Sequence, residues 1–251
     1  MCTIVVIRDS GAKRFEVYAN RDEALDRPWE MPRRWEGRKR TVVAPRDSEA
    51  GGTWLGINDA GVFAGLTNRF GCDGPDDARS RGELVRRGLE AADARGAAEI
   101  IGSIEPQAFG GFHFLSVDAE QTYLVWADGR TLHRRRVERC RLVISERSMG
   151  AAPSRRLTRW EARLDAMGND WPPRSRWVRW LSEHDEAAPF EGTCVHLEDQ
   201  NYGTRSSAII RRTREGWAFE HTEGPPCASD FREVAVPKVG SMGSPGGSGD
   251  C

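Results

Sequence analysis

The hydrophobic pattern of the chain begins with two short apolar segments that predict a β-hairpin. Residues 3–7 form a β-branched run, which is typical of a strand buried on both faces. Residues 8–11 have the composition of a turn, and residues 15–19 alternate between apolar and polar like a returning strand. The hairpin would therefore bring residues 20–22 back beside the first residues of the chain.

Similar patterns predict further strands along the chain. Asn58-Asp59-Ala60-Gly61 separates two apolar runs and indicates a second hairpin, whose outgoing strand ends in Thr67-Asn68. A meander of four strands is predicted over 112–117, 122–126, 131–137 and 141–145. Later strands are predicted over 194–197, 202–210 and 217–219, and we expect the last of these to close the sheet.

Apolar residues at helical spacing predict two groups of helices. In the first group, Ser80 is expected to cap a helix over 81–95, and a second short helix follows over 97–103. The second group covers 157–167 and 177–181. The segment 24–40 is rich in Pro, Trp, Arg and Glu and predicts a long surface loop. Many hairpins with two helix groups indicate an α+β layered fold.

Composition narrows the class of protein. The 251 residues include 37 basic and 38 acidic side chains, a balance that does not favour binding to nucleic acid or to a membrane surface. Six cysteines without a C-x-x-C pair indicate free thiols of a cytoplasmic protein. The N-terminal apolar run is too short for a signal peptide, and no membrane span is expected. Residues 1–235 are predicted to form one domain and residues 236–251, rich in Gly, Ser and Pro, a flexible tail.

Candidate chemistry is concentrated at Cys2. Its small side chain would permit removal of Met1, which would leave one residue with both a thiol and a free α-amine. An unperturbed thiol titrates near about 8.5 and an α-amine near about 7.7–8.0, so one residue would supply nucleophile and proton acceptor. A free cysteine is also often an ordinary small residue of the core, and Met-Cys alone leaves that alternative open.

Several motifs give the chain a resemblance to a known family. The strand after Cys2 is followed by one ending in Asn20-Arg21-Asp22-Glu23, and a late strand carries Tyr202-Gly203-Thr204-Arg205-Ser206-Ser207. With Ser80-Arg81-Gly82, these motifs resemble the NRDE family, also called the transport and Golgi organisation 2 family. That family is similar in turn to the N-terminal-nucleophile (Ntn) cysteine hydrolases, such as bile-salt hydrolases and penicillin V acylases. The resemblance implies the four-layer αββα sandwich of these enzymes.

The resemblance also implies a mechanism, in which a linear amide transfers its acyl group to water. The Cys2 sulfur would attack the carbonyl and the Cys2 α-amine would manage the proton, with Arg21 and Asp22 positioning that residue. Asn68 lies where the hydrolases have an asparagine that helps hold the oxyanion, a role that suits a neutral amide donor. Arg205 corresponds to a late arginine that supports the nucleophile and carboxylate. We expect Arg21 and Arg205 to lower the pKa of the Cys2 thiol.

Two further residues are assigned to substrate binding, Asn20 and Glu146. Glu146 stands where the family usually has asparagine. An ionised glutamate would oppose an oxyanion, whereas a protonated one could donate to it, so either the site is tuned differently or Glu146 points away. The substrate would be a small N-acyl amine or N-acyl amino acid, and the mechanism implies no cofactor.

The sequence leaves a second function open, a non-catalytic carrier of haem or acyl-lipid metabolites on the same fold. Cys2 does not decide between the two functions, because thiolates also ligate haem iron. Nine tryptophans could line an apolar pocket, although core packing explains most of them. His196-x-Glu198 resembles the H-x-E of zinc deaminases, but Pro226-Cys227 lacks the second cysteine of that motif. The five histidines show no metal-ligand spacing, and no metal site is predicted.

Overall fold

A computed structural model describes residues 2–9, 11–168 and 170–236 of the protein. These residues form fourteen strands and four α-helices. The strands are β1 (Cys2–Asp9), β2 (Arg14–Ala24), β3 (Trp29–Glu36), β4 (Thr41–Asp47), β5 (Leu55–Asn58), β6 (Phe63–Asn68), β7 (Phe112–Val117), β8 (Thr122–Ala127), β9 (Leu132–Arg136), β10 (Arg141–Ser145), β11 (His196–Leu197), β12 (Tyr202–Thr213), β13 (Gly216–His221) and β14 (Arg232–Glu233). The helices are α1 (Gly82–Gly88), α2 (Ala94–Gly102), α3 (Arg155–Ala166) and α4 (Arg174–Leu181).

The strands build two antiparallel sheets of seven strands each. In the first sheet the order is β10-β1-β2-β12-β13-β14, and β11 pairs with β12 beside this path. In the second sheet the order follows the chain from β3 to β9. The predicted N-terminal hairpin is confirmed, since β1 and β2 pair from Cys2–Arg21 to Asp9–Arg14.

Alternation along β1 explains how the first sheet is covered on both faces. Ile4 and Val6 belong to the core between the two sheets, whereas Val5 and Ile7 pack with side chains of α3 and α4. A third cluster lies between the second sheet and the pair α1 and α2. The layers are therefore helix, sheet, sheet and helix, and the predicted four-layer αββα sandwich is confirmed.

The segment 24–40 is not the predicted loop, because it contains strand β3. This strand lies at the edge of the second sheet, where Pro32 can be accommodated without the loss of a central ladder hydrogen bond. The pairing of β3 with β4 also shifts register between Glu30 and Arg33, and this irregularity obscures the alternation in the sequence.

The predicted helix over 81–95 is two helices. The first helix begins at Gly82 and ends at Gly88. Its N-cap residue is Arg81 and not the predicted Ser80, although the Ser80 hydroxyl accepts from the Gly82 N–H (3.3 Å). The second begins after Asp93, whose carboxylate accepts from the Gly96 N–H (2.7 Å). An N-cap of this kind restarts a helix, so α2 begins at Ala94 rather than at 97.

The predicted four-strand meander has only three strands, β7 to β9. The fourth segment, β10, crosses to the first sheet and pairs with β1, where Ile144 faces the core between the sheets and Val143 faces the helices. Strand β13 is also not the last strand, since β14 follows it at the edge. None of the helices in the described part of the chain has the length and hydropathy needed to cross a bilayer. The predicted tail beyond residue 236 lies outside the described residues.

Candidate active site

A cleft of about 450 Å³ lies where the ends of β1, β2 and β6 meet the segment before α1. Cys2 and Asn68, far apart in sequence, both line it. The cleft carries many charged side chains, four arginines and four carboxylates: Arg21, Arg27, Arg79, Arg81, Asp22, Glu23, Asp47 and Asp73. Its lining is therefore polar and close to neutral in formal charge.

Arg21 lies opposite Cys2 across the β1–β2 ladder, so both side chains belong to the same face of the sheet. The Arg21 guanidinium stacks on the Trp54 ring, with 4.2 Å between the guanidinium carbon and the ring centroid. It also forms ion pairs with Asp47 (3.5 Å) and Glu23 (3.7 Å). Arg21 is thus fixed in place by three neighbours.

The pKa of the Cys2 thiol is raised, first by burial and further by the carboxylate of Asp22, while Arg21 opposes this rise. The predicted net lowering of the thiol pKa is therefore wrong: Arg21 acts in the predicted direction, but burial outweighs it. With Met1 in place, the half-buried Cys2 thiol is therefore neutral at rest, and its attack on a carbonyl requires a proton acceptor.

Asp22 is buried on the opposite face of β2 and is held from two sides. The Thr204 hydroxyl donates to Asp22 Oδ1 (2.6 Å), and Arg156 donates to Asp22 Oδ2 (3.2 Å). Arg156 belongs to α3, is 1% exposed, and also donates to the hydroxyl of Thr3 (3.1 Å). Although burial opposes its charge, Asp22 and Glu146 raise the pKa of Arg156, which is therefore a permanent cation.

Glu146 is not among the residues that line the cleft. Its carboxylate faces Arg156 (4.0 Å) and Arg147 (3.6 Å), and its Oε2 is buried without a hydrogen-bond partner. Burial raises the pKa of Glu146, while Arg156 opposes the rise. Of the two alternatives for this residue, the geometry favours the one in which it points away from the cleft.

Asn20, the first residue of the Asn-Arg-Asp-Glu motif, has a structural place in the fold. Its amide nitrogen donates to the backbone carbonyls of Leu181 (2.9 Å) and Thr193 (2.8 Å). The side chain is buried and does not line the cleft, so it ties the end of α4 to β2 instead of facing a substrate.

Asn68 ends β6, where it pairs with Phe112 of β7, and lines the cleft together with Cys2. Within the described ranges of the chain, its side-chain amide makes no hydrogen bond, so the N–H groups are available to a ligand. The predicted hairpin before it is confirmed. Asn58 anchors that hairpin by accepting from the N–H groups of Ala60 (3.0 Å) and Val62 (2.9 Å).

Arg205 does not line the cleft with Cys2. The pairing of β12 with β2 shifts register between Thr204 and Ser206, which leaves Arg205 as the extra residue of a β-bulge. It lines a separate depression with residues of β11 and the turn after β13, among them His196 and Pro225. The buried arginine that contacts the Asp22 carboxylate is Arg156.

The model of the Transport and Golgi organisation 2 family matches residues 1–223. The chain belongs to this family. Relatives include the mouse Transport and Golgi organization 2 homolog, 36% identical over 111 residues, which is 43% of this chain and 40% of that protein. The human homolog is 35% identical over the same shares. The chain thus spans less than half the length of these two relatives. The Bos taurus homolog is 28% identical over 241 residues, covering 82% of this chain and 84% of that protein.

Solved structures of similar fold are Ntn hydrolases. One is a Caenorhabditis elegans orthologue of N-acylethanolamine-hydrolyzing acid amidase, with a TM-score of 0.59 and 12% identity, covering 83% of this chain and 92% of that one. Another is a variant of conjugated bile acid hydrolase from Clostridium perfringens, with a TM-score of 0.59 and 10% identity, covering 95% and 98%. At 10–12% identity, this similarity establishes only that the chain has the fold of these enzymes.

Two residues beside the Cys2 site carry no assignment from the sequence. In the sequence, Arg81 is noted only as part of the Ser80-Arg81-Gly82 motif. In the structure it lies just before α1 and lines the cleft. The sequence does not identify Arg156 as a site residue, because it is one of four arginines in α3 and the pattern does not show which of them is buried. The nine tryptophans are mainly packing residues, and Trp54 is the one in the described chain that lines the cleft.

Proposed function

We propose that this member of the family is an Ntn cysteine amidohydrolase that acts on the amide bond of small N-acyl amino acids or N-acyl amines. The observation that carries the proposal is the convergence of Cys2, Asp22 and Asn68 at one cleft of an Ntn-hydrolase fold. A thiol, a carboxylate and an unengaged amide are the groups that acyl transfer through a thioester needs.

The reaction begins after removal of Met1, when the α-amine of Cys2 is free. The amine accepts the thiol proton as the sulfur attacks the amide carbonyl carbon. This order of events does not require the thiol to ionise before the substrate binds. Asp22, held by Arg156 and Thr204, orients the resulting ammonium. The ammonium then protonates the leaving nitrogen, and water hydrolyses the thioester to release the acid.

Asn68 stabilises the negative charge that develops on the carbonyl oxygen. Its amide is a neutral donor that faces the cleft, so it can stabilise the oxyanion without a proton transfer. The expected consequence of its removal is a loss on the order of 10²–10³ in kcat, about 2.7–4 kcal/mol.

Arg81 supports an amino-acid moiety in the substrate. Arg21 and Arg27 are each paired with Asp47, but Arg81 has no carboxylate within ion-pair distance among the described residues. Its guanidinium donates to the Gly111 carbonyl (3.2 Å) and is partly buried in the cleft, which lowers its pKa. A substrate carboxylate would complete this arrangement, since guanidinium and carboxylate form bidentate pairs.

The test is a screen of the full-length protein against N-acyl amino acids and N-acylethanolamines, with release of the amine as the readout. We expect turnover in the wild type, none with Cys2→Ala, and unchanged turnover with the matched variant Cys140→Ala. Asn68→Ala should lower kcat far more than it raises KM. Arg81→Met should raise KM for N-acyl amino acids and leave KM for N-acylethanolamines nearly unchanged.

The alternative function, a carrier of haem or an acyl lipid, predicts different results. A wild-type protein that hydrolyses no compound of the screen yet binds haem or an acyl lipid at one molecule per chain would overturn the amidohydrolase. The charged lining of the cleft suits a polar substrate better than an apolar metabolite. We also propose a cytoplasmic location, where free thiols such as Cys194 and Cys227, whose sulfurs lie 3.5 Å apart, remain reduced.

A further inference from the structure

Four potential metal ligands converge beside β11 of the first sheet, outside the cleft that contains Cys2. They are His184, which follows α4, Cys194 and His196, which flank Val195 at β11, and Cys227 in the loop after β13. Each offers one ligand atom, and all four atoms lie within 4.8 Å of one another.

The distances within the cluster resemble the edges of a metal tetrahedron. For zinc, metal–sulfur distances of about 2.3 Å and metal–nitrogen distances of about 2.0–2.1 Å put two sulfurs about 3.8 Å apart, and a sulfur and a nitrogen about 3.5 Å apart. The sulfurs of Cys194 and Cys227 are 3.5 Å apart. The Nε2 of His196 lies 3.5 Å from the first sulfur and 3.2 Å from the second.

Glu198 gives His196 the orientation of a metal ligand. Its carboxylate lies 3.2 Å from His196 Nδ1, the ring nitrogen that points away from the sulfurs. A carboxylate on Nδ1 fixes the proton there and leaves the lone pair of Nε2 for a metal. The backbone also brings the ligands together, because the Cys194 N–H donates to the carbonyl of Glu183 (2.9 Å), the residue before His184.

We propose that His184, Cys194, His196 and Cys227 bind one zinc ion in a structural site. Two thiolates and two imidazoles in tetrahedral arrangement form a donor set typical of zinc. Four protein ligands leave no open position for a substrate, which distinguishes a structural site from a catalytic one. The argument for zinc does not rest on the proposed amidohydrolase activity.

Zinc would fasten three separate segments of the chain to one another beside β12, the strand whose Thr204 contacts Asp22. Val195, between two of the ligands, donates its N–H to the Thr204 hydroxyl (2.8 Å), and the same hydroxyl donates to Asp22 (2.6 Å). The Val195 carbonyl in turn accepts from the Thr204 N–H (2.8 Å). The metal therefore stabilises the backbone that positions Thr204 beside the carboxylate.

The experiment uses the full-length protein without a histidine tag, purified under reducing conditions. Mass spectrometry of the metal content should give one zinc ion per chain. After removal of zinc, titration with Co²⁺ should produce thiolate charge-transfer bands and the intense d–d bands of tetrahedral coordination. Zinc should also raise the thermal midpoint of unfolding, because it binds the folded chain.

Variants distinguish ligands from bystanders. Cys227→Ser, at an exposed position, should abolish tight binding, and Glu198→Gln should weaken zinc affinity about 10–100-fold. The matched controls Cys140→Ser and His133→Ala, at positions outside the cluster, should bind like wild type. Wild-type protein that retains no zinc and gives no tetrahedral cobalt spectrum overturns the proposal. The proposal is also overturned if Cys194 and Cys227 form a disulfide on oxidation and added zinc does not prevent it.

Discussion

Replacement of Arg156 by methionine tests how the Asp22 carboxylate is held. Methionine keeps much of the volume and removes the cation that lies between Asp22 (3.2 Å) and Glu146 (4.0 Å). All three side chains are nearly inaccessible to solvent, at 1% exposure for Arg156 and Asp22 and 3% for Glu146. Removing one partner leaves two buried carboxylates without their shared counter-charge.

The expected cost is about 3–5 kcal/mol in the free energy of unfolding, the range for breaking a buried ion pair from one side. For a chain of this length, that cost corresponds to a fall of about 6–20 °C in Tm. The cost should depend on pH. Without Arg156, the pKa of Glu146, already raised by burial, rises further. A carboxyl whose folded-state pKa exceeds its unfolded value destabilises the fold most at high pH, so the gap to wild type should narrow from pH 8 to pH 5.

Urea unfolding followed by circular dichroism measures these differences, with Arg205→Met as the matched control. Arg205 has no carboxylate partner among the described contacts, and its loss should cost about 1 kcal/mol or less. Adding Glu146→Gln to Arg156→Met should recover part of the stability, because one orphaned carboxylate is removed. Arg156 is not the shared counter-charge of the two carboxylates if Arg156→Met costs no more than Arg205→Met, or if its cost does not change with pH.

Three more predictions follow from particular buried groups. Burial lowers the pKa of His113 to about 4. The free energy of unfolding should therefore fall by about 2 kcal/mol between pH 7.5 and pH 5, because the histidine of the unfolded chain gains its proton near about 6.5. Urea titration of His113→Gln should not show this loss. Asn58→Ala should cost about 2–4 kcal/mol in the same assay, because Asn58 Nδ2 donates to the carbonyls of Leu89 and Ala91; a loss within 0.5 kcal/mol, about the size of a surface substitution, would count against this. In protein that retains Met1, peptide mapping should show slower alkylation of Cys2 than of the exposed Cys140 at pH 7, and equal rates would contradict the raised thiol pKa.

The sequence predicts those parts of the fold that depend on local pattern. The β-branched run of β1, the turn after it and the alternation of β2 define a hairpin whose register places Arg21 opposite Cys2. Asn68 is predictable for the same reason, since the Asn58 hairpin and the strand after it are continuous in sequence. Strand β10 is not predictable in this way, because its alternation is compatible with either sheet.

Long-range contacts account for what the sequence does not predict. Arg156 lies 134 residues from Asp22, on a helix whose other arginines also pair with carboxylates, Asp185 and Glu183, so composition cannot identify the buried one. The cysteines and histidines of the proposed zinc site come from three separate stretches, and no spacing motif connects them. The resemblance singles out Arg205 because of its neighbours in sequence. Its position in the structure depends instead on the β-bulge between Thr204 and Ser206.

The β-bulge at Arg205 determines which side of β12 Thr204 faces. Downstream of the bulge, Ala208 and Ile210 belong to the core between the sheets, and an unbroken strand would turn Thr204 to the same side. The extra residue at 205 changes the phase, so that Thr204 instead meets Asp22. What matters at this position is then the presence of a residue more than its identity. A substitution at 205 should therefore leave Thr204 beside Asp22, whereas a deletion of that residue would deprive the site of Thr204 while leaving the core intact.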